Sequence, residues 1–391
     1  MRIALFTETY LPHLNGVVTH IHLLAKSFEE MGHKVLIVTV DNVDHPVIKG
    51  NVLCCPGKDM KKIYNYRLAS PVSISRTRHV EDFQPDVIHV HNEFGIGFSG
   101  LQIGKRLGVP VVYSLHSDYD SYLYYISLNN PFIDQVVKRG LEHYLNYFVN
   151  NSDMILSPSP KAKKYLNRIG SDKEVHVLAN AVDVEMYREP NIDLGARERF
   201  RKEQGLAENC KAFVFVGRLG QEKQLHELIP IFYKLGFSKE EAQLFIYGKG
   251  PAAEELEKLI DNLNIGEQVH LMGAVPNTEI PNVLSCMDYY ITASQTEMHS
   301  ISMLEGQAAG LPVLMRSDEP NNWQIEEGVN GFIWYAADDL KERIQKLLAL
   351  SPEEEKELHD KVKDWSDTHG RMNQAEELLA YYNQAILEFD E

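Results

Sequence analysis

The strongest evidence for a fold class is the stretch Lys34-Val35-Leu36-Ile37-Val38-Thr39-Val40, an almost unbroken apolar and β-branched run. Such a run is typical of a strand that is buried on both faces of a parallel sheet. Similar runs occur at Arg2–Thr7 and at Asn51–Cys55, on either side of it in the sequence. A helical pattern over Val18–Met31 ends at Gly32. Strands that alternate with helices through short loops predict a parallel sheet covered by helices on both faces.

The same alternation continues through the first half of the chain and starts again in the second half. Further strand patterns lie at Asp86–Val90, Pro110–Leu115, Met154–Ser157, Val175–Leu178, Ala212–Val216, Gln243–Tyr247, Val269–Met272, Tyr289–Thr292 and Val313–Met315. Because 391 residues are too many for one such sheet, we expect an α/β protein with two doubly wound domains, over 1–185 and 186–370. The polar stretch Asp183–Gly195 is the predicted linker. Residues 371–391 form a predicted helix that packs back on the first domain.

The composition is typical of a globular protein and excludes several other classes. Hydrophobic residues make up 44% of the chain and charged residues 24%, and no apolar run reaches the roughly 18–20 residues of a membrane span. The net charge of −17, taken over the whole chain, argues against nucleic acid and an anionic membrane as partners. Residues 1–190 hold 20 basic and 20 acidic residues, so this charge falls on the second half and the first half is neutral. The four cysteines fit no zinc or redox motif, and the N-terminus has no signal-peptide pattern, so we expect a cytoplasmic protein.

Two carboxylates flank the start of a predicted helix in the second half. Glu297 lies on the loop before the helix and Glu305 lies within it, while Ser300 is a good N-cap and Gly310 a good helix end. The free N–H groups of the first turn, near His299–Ser302, form a ready anion site. This arrangement suits a ligand with a phosphate in its middle and hydroxyls at both ends. On the residues alone, the alternative that both are ordinary helix-flanking acids stays open.

Two other loops that follow predicted strands offer groups that bind phosphate. Arg218 and Lys223 follow the first strand of the second domain, where a bound diphosphate needs fixed cations. Gly16 follows the first strand of the chain, and a glycine there lets backbone N–H groups approach a phosphate. Two solvated surface cations and a simple turn glycine would produce the same patterns.

Three histidines, His89, His91 and His116, lie at the ends of adjacent predicted strands, where an imidazole can contact a substrate or move a proton. Each one singly is more often a packing residue.

Two further patterns are weaker. Gly95-Ile96-Gly97-Phe98-Ser99-Gly100 matches a dinucleotide-binding fingerprint, but it does not follow the first strand of its domain. Asp118-Tyr119-Asp120 looks like a metal-binding pair of aspartates, but no third ligand is evident.

Taken in this order, the motifs resemble the retaining GT-B glycosyltransferases that include glycogen synthase-like and phosphatidylinositol mannosyltransferase-like enzymes. The resemblance covers nearly the whole chain, and its most specific element is the spacing of Glu297 and Glu305. The other matching segments are Thr7-Glu8-Thr9-Tyr10-Leu11-Pro12 with Asn15-Gly16-Val17, His89-Val90-His91-Asn92-Glu93-Phe94 with His116-Ser117, Asn180-Ala181-Val182-Asp183, and Gly217-Arg218 with Lys223. The resemblance implies two Rossmann-like domains that face an interdomain cleft, the first binding the acceptor and the second the nucleotide-sugar donor.

The resemblance also implies roles for the donor-binding residues. Arg218 and Lys223 would hold the donor diphosphate and neutralise the leaving group, so that no metal is required. Glu305 would accept hydrogen bonds from the ribose hydroxyls, and Glu297 would contact the hydroxyls of the donor sugar.

Further residues would lie close to the transferred sugar. Gly16 would contact the diphosphate or the sugar, and His116 would lie near the reacting centre. The N–H groups of His299, Ser300 and Ile301 would face the sugar or the phosphate. Two departures from the family pattern occur: Met298-His299-Ser300 replaces the usual glycines, which leaves the identity of the sugar open, and Ala181 replaces the linker glycine.

The implied reaction is the transfer of a hexose from a UDP-sugar to a hydroxyl, with retention at the anomeric carbon. The sequence shows no obvious pair of carboxylates like the one that retaining hydrolases use, so we expect the departing phosphate oxygen to accept the proton of the acceptor. The stretch Thr7–Val18, the segment His91-Asn92-Glu93-Phe94 and the aromatic run after His116 look most like diacylglycerol glucosyltransferases. That similarity implies glucose as the sugar and diacylglycerol or a glycolipid as the acceptor.

The first domain would then contact the acceptor through His91, Tyr119 and Tyr122. It would also touch the inner face of the membrane peripherally through basic residues that include Arg67, Arg76 and Arg78. A soluble sugar, a thiol precursor or a protein remains an alternative acceptor. A non-catalytic nucleotide-sugar binding protein and a dehydrogenase are the alternatives from other classes, and the oligomeric state stays open.

Overall fold

The protein is described here from a computed structural model, which describes residues 1–13, 15–60, 66–116 and 131–390. The chain divides into two compact units. Unit 1 consists of Met1–Asn180 together with Arg371–Glu391, and unit 2 consists of Ala181–Gly370. The boundary therefore lies at Asn180 and Ala181, before the position expected from the sequence. In the described part of the chain, none of the helices has the length and apolar character needed to cross a membrane.

The elements alternate between strand and helix along most of the chain. The strands are β1 (Arg2–Phe6), β2 (Lys34–Asp41), β3 (Val47–Lys49), β4 (Val52–Met60), β5 (Tyr66–Ala69), β6 (Val87–Val90), β7 (Val111–Ser114), β8 (Met154–Ser157), β9 (His176–Val177), β10 (Lys211–Val216), β11 (Ala242–Tyr247), β12 (Val269–Gly273), β13 (Tyr289–Thr292), β14 (Val313–Arg316) and β15 (Gly331–Trp334). The α-helices are α1 (Gly16–Glu30), α2 (Ile74–Phe83), α3 (Gly95–Leu107), α4 (Pro131–Asn150), α5 (Lys161–Arg168), α6 (Ala196–Glu203), α7 (Leu225–Lys234), α8 (Ala253–Leu263), α9 (Ile280–Ser285), α10 (Ile301–Ala308), α11 (Ala337–Leu348), α12 (Pro352–Asp367) and α13 (Arg371–Asp390).

Unit 1 is built on a sheet with the strand order β3-β4-β2-β1-β6-β7-β8-β9, and β5 pairs with β4. The central strands are parallel, with Ile3 opposite Val35 on one side and opposite Val87 on the other. Only β3 and β5 run antiparallel among the described strands, and both pair with β4. The parallel strands end at one edge, which places the loops after β1, β6 and β7 side by side.

The C-terminal helix α13 belongs to unit 1 and packs on α1. Leu378 and Tyr382 are fully buried in the same apolar cluster as Ile21 and Phe28. At the start of α13, the Arg371 guanidinium forms an ion pair with Glu30 of α1 at 2.8 Å. Helix α13 thus completes an apolar core whose other buried residues come mainly from α1 and from the central strands of the sheet.

Unit 2 is a six-stranded sheet with the order β12-β11-β10-β13-β14-β15, and every described pair is parallel. The central strand β10 is buried on both faces, as a parallel strand between two helical layers must be. Phe213 and Phe215 point into one apolar cluster, and Val214 and Val216 point into the other. The prediction of two doubly wound α/β domains is confirmed.

The glycines of the dinucleotide-like fingerprint have a packing explanation in the structure. They lie at the start of α3, which sits close against β5 and β6. A Cβ on Gly95 would lie 2.0 Å from the carbonyl oxygen of Ala69, and one on Gly97 would lie 1.6 Å from that of Asn92. The glycines therefore allow the close approach of a helix to backbone, which is a structural reason for the pattern.

Candidate active site

The carboxyl ends of β10 and β11 hold the first part of the candidate site. The loop Gly217–Gln224 follows β10, and Gly217 N–H donates to the carbonyl of Tyr247 at 3.0 Å. Leu219 N–H donates to the carbonyl of Lys249 at 3.0 Å, so the loop is fixed against the one that follows β11. The approach is so close that a Cβ on Gly248 would lie 1.8 Å from the Gly217 oxygen, and φ there is +154°. Glycine at 248 is therefore a requirement of this edge.

The loop after β13 is attached to the same edge. The carbonyl of Glu222 accepts hydrogen bonds from the hydroxyls of Ser294 and Thr296, both at 3.2 Å. The hydroxyl of Tyr290 donates to the carbonyl of Val216 at 3.1 Å and lies 2.8 Å from the hydroxyl of Ser302 on α10. These contacts join β10, β13 and α10, so the side chains on their loops are held as one group.

Within this group the structure brings the predicted cations and carboxylates together. Lys223 forms an ion pair with Glu297, and both side chains are mostly buried. The hydroxyl of Ser294 lies 3.4 Å from the same Glu297 carboxylate. Arg218 lies in the same loop, 3.8 Å from Glu222. Each of these two cations therefore has a carboxylate partner on this edge of unit 2.

Glu305 lies one helical turn into α10, on the same edge, and its carboxyl has a strongly perturbed pKa. Burial raises the pKa to about 7, and a hydrogen bond from the hydroxyl of Tyr187 acts in the opposite direction. Tyr187 is itself buried in the core of unit 2, on a short 3-10 turn over Val184–Tyr187. Glu305, the residue expected to face the ribose, is therefore oriented by a tyrosine that lies within the predicted linker.

The N-terminus of α10 has the predicted cap. Ser300 is the N-cap, and its hydroxyl accepts a hydrogen bond from the N–H of Met303 at 3.3 Å. The first N–H groups of a helix have no partner within the helix, so those at Ile301 remain available for an anion. The His299 side chain is buried beside Trp323, and burial lowers its pKa to about 3. His299 is therefore neutral, and its contribution to the predicted anion site comes from its backbone.

The predicted residues of unit 1 lie at the carboxyl ends of β1, β6 and β7. Gly16 is exposed at the first turn of α1, where the Asn15 side chain caps the N–H of Val18 at 2.9 Å. His91 is buried and its Nδ1 lies 2.9 Å from Nε2 of His116. The predicted contacts Tyr119 and Tyr122 fall outside the described residues.

One other expectation for unit 1, that of Arg76 as a lipid contact, does not hold. His89 lies inside β6, fully buried between Tyr382 and Ser114, in the packing role that a single histidine more often has. Arg76 is also buried, with its guanidinium on Ser99 at 2.9 Å, so it cannot contact a lipid headgroup.

A pocket of about 290 Å³ lies beside the loop after β1, and sequence analysis did not single it out. Its lining includes the apolar residues Leu11 and Pro12 and the charged residues Asp41 and Arg67. Glu8 also lines the pocket, and burial raises the pKa of its carboxyl to about 7. The pocket therefore suits a molecule with an apolar part and hydroxyl groups.

Comparison with known proteins gives the family. Residues 14–186 match the family described as Glycosyltransferase Family 4, and residues 196–365 match the one described as Glycosyl transferases group 1. Together the two matches cover most of the chain. The chain belongs to the GT-B glycosyltransferases. The resemblance seen in the sequence is thereby confirmed, and the dehydrogenase alternative is set aside because both halves match glycosyltransferases.

Two relatives of this glycosyltransferase carry the same name. The alpha-monoglucosyldiacylglycerol synthase of Acholeplasma laidlawii is 28% identical over 87% of this chain and 86% of its own length. The one of Streptococcus pneumoniae is 26% identical over 90% of this chain and 79% of its own length. Among solved structures, Anabaena HepE in complex with UDP has a TM-score of 0.74 at 15% identity and covers 98% of this chain and 100% of its own. At that identity the likeness shows the fold.

Proposed function

We propose that this glycosyltransferase moves glucose from UDP-glucose to a hydroxyl of diacylglycerol or a glycolipid, with retention and without a metal ion. The observation that carries the proposal is the edge of unit 2 where Lys223 pairs with Glu297, beside Arg218 and Glu305. The names of the two curated relatives support the sugar and the acceptor, since both describe a diacylglycerol with one α-linked glucose.

The donor fits this edge through its charge. UDP-glucose carries a negatively charged diphosphate between a ribose and a sugar, and the diphosphate binds Arg218 and Lys223 in place of their carboxylate partners. Glu297, released from Lys223, then accepts hydrogen bonds from the glucose hydroxyls. Glu305 accepts hydrogen bonds from the ribose hydroxyls, most strongly in its ionised form, in which both carboxylate oxygens are acceptors.

The reaction exchanges two bonds at the anomeric carbon. The bond from that carbon to the diphosphate oxygen breaks, and a bond to the acceptor hydroxyl forms on the same face. The departing phosphate oxygen takes the proton of the hydroxyl, so no protein base is required. Arg218, Lys223 and the N–H groups at the start of α10 stabilise the negative charge that develops on the diphosphate, which is the work of a divalent cation in metal-dependent transferases.

The acceptor binds unit 1 in this proposal. The pocket beside the loop after β1 receives the glycerol end of the lipid, with hydroxyls toward Asp41 and Arg67 and carbon toward Leu11. His116, at the end of β7, contacts the transferred sugar. The acyl chains stay in the membrane, so unit 1 touches the membrane surface peripherally.

The proposal is tested with purified protein, UDP-glucose and dioleoylglycerol vesicles, by following UDP release and the lipid product. Arg218→Ala and Lys223→Ala should each lower turnover about 100-fold or more, because each removes a positive charge from the leaving group. Lys258→Ala, an exposed cation elsewhere in unit 2, is the matched control and should keep full turnover.

Near-normal turnover in both site variants would contradict the diphosphate assignment. NMR of the product should show the α-anomer, and a chelator should not lower the rate. Binding of UDP-glucose without UDP release on any acceptor would instead favour the non-catalytic nucleotide-sugar binding protein.

A further inference from the structure

Four histidines of unit 1 converge beside the carboxyl ends of its central strands. His20 comes from α1, His89 from β6, His91 from the end of β6, and His116 from the end of β7. The ring centroids of His20 and His116 are 5.0 Å apart, and those of His20 and His91 are 5.5 Å apart. Burial lowers the pKa of all four rings, that of His116 to about 4, so the whole cluster is neutral near pH 7.

The four rings differ in how their nitrogens are used. His89 uses both, since Nδ1 lies 2.6 Å from the Tyr382 hydroxyl and Nε2 lies 2.8 Å from the Ser114 hydroxyl. By contrast, Nε2 of His20 and Nε2 of His91 are buried with no hydrogen-bond partner among the described residues. A buried polar atom without a hydrogen-bond partner loses its hydration without compensation, so two such atoms in one cluster indicate a missing ligand.

We propose that His20, His91 and His116 form a site for a borderline divalent cation, of which Zn²⁺ is the natural member. One nitrogen from each residue lies within 4.8 Å of the others. Tetrahedral Zn²⁺ with Zn–N bonds of about 2.1 Å needs these nitrogens about 3.4 Å apart, so small ring movements close the site. Neutral imidazole is the form that binds Zn²⁺ and Co²⁺, whereas Mg²⁺ and Ca²⁺ prefer oxygen.

Ligation through Nε2 of His20 requires the tautomer with its proton on Nδ1. In the present arrangement Nδ1 of His20 lies 3.4 Å from the amide nitrogen of Gln374. A contact of this length is weak, so the change of tautomer at His20 loses little, and ligation otherwise competes with the 2.9 Å contact between Nδ1 of His91 and Nε2 of His116. His89 stays outside the site because both of its nitrogens are already bonded.

The site also bears on glycosyl transfer, and this step rests on the proposed function. His116 cannot bind Zn²⁺ and contact the transferred sugar with the same nitrogen. Zn²⁺ should therefore lower the transfer rate while the donor-binding residues of unit 2 still bind UDP-glucose. The cluster then acts as a site of inhibition by zinc.

Binding is measured first, on the full-length protein without a histidine tag and without substrate. Co²⁺ is added and its visible absorption followed, and Zn²⁺ is then titrated in competition with it. We expect one cation per chain, displacement of Co²⁺ by Zn²⁺, and no displacement by Mg²⁺. His20→Gln and His91→Gln should each weaken binding at least tenfold, whereas His45→Gln, an exposed histidine of unit 1, should not.

Far-UV circular dichroism identifies any variant that fails to fold. Because two different ligands are substituted, the test can still be made with one variant if the other does not fold. Equal binding by the wild type and both folded ligand variants would overturn the site. Inhibition is then measured relative to the zinc-free rate of each protein. Zn²⁺ that binds at the site without slowing the transfer of glucose would overturn the link to His116. If the protein transfers no glucose even without added zinc, that result counts only against the proposed function.

Discussion

The burial of the Glu305 carboxyl, opposed by its contact with the Tyr187 hydroxyl, should make donor binding depend on pH near neutrality. In the proposed donor complex the ionised Glu305 carboxylate accepts the ribose hydroxyls better than the protonated carboxyl does, and burial raises its pKa to about 7. The affinity for UDP-glucose should therefore fall as pH decreases through 7. The Tyr187 hydroxyl stabilises the ionised form, so Tyr187→Phe should move the midpoint of this fall upward by about one pH unit. Calorimetric titration of UDP-glucose between pH 5.5 and 8.5 measures the midpoint, since the diphosphate of UDP-glucose does not titrate in that range.

Glu305→Gln is the control for this assignment. The variant should bind UDP-glucose more weakly, and its affinity should show little dependence on pH. If Tyr187→Phe lowers the affinity equally at every pH, the tyrosine supports the helix without orienting the carboxylate.

At the scale of single residues, the sequence supports the site unevenly. Glu297, Glu305, Arg218 and Lys223 follow strands at recognisable spacings, and the structure holds all four on one edge of unit 2. Tyr187 could not be found this way, because its partner lies more than one hundred residues further along the chain. Contacts between distant side chains depend on packing, which local patterns do not encode.

The carboxyl-end loops of unit 2 depend on one close approach of backbone to backbone. Gly248→Ala places a methyl group against the Gly217 carbonyl at a φ that side chains avoid. We expect a loss of about 2–4 kcal/mol in the free energy of unfolding of unit 2, since the clash is with backbone that cannot rotate away. The loop that carries Arg218 and Lys223 moves with it, so UDP-glucose should also bind more weakly.

Gly266→Ala is the matched control, because a Cβ there meets nothing within 4 Å. Urea unfolding gives the free energies and calorimetry the affinities. A Gly248→Ala protein as stable as the control would show that the two loops can separate freely.

Secondary structure follows the sequence best where burial is strongest. The apolar strands β1, β2 and β10 lie where their sequence patterns predict them, because a strand that is buried on both faces needs apolar residues at nearly every position. The short strands β3 and β5 were not expected. They pair antiparallel at the margin of the sheet, and neither carries a long apolar run.

The return of the chain at α13 makes the stability of unit 1 depend on its last residues. Leu378 is fully buried beside α1, so Leu378→Ala should lower the free energy of unfolding by about 2–5 kcal/mol. Unit 2 has its own apolar clusters, and these contain no residue of α13. Hydrogen exchange should therefore speed up in β1, β2 and α1, while β10, β11 and β13 keep their protection.

Leu387→Ala tests whether burial, and not the mere presence of a leucine on α13, determines this effect. Leu387 is 68% exposed on the same helix, so its loss should leave exchange in both units unchanged. Equal acceleration of exchange in β10 and in β1 by Leu378→Ala would contradict this prediction, because the two cores would then unfold as one cooperative unit. The division of the chain after Asn180 and after Gly370 would in that case describe how the residues pack, but not how they unfold.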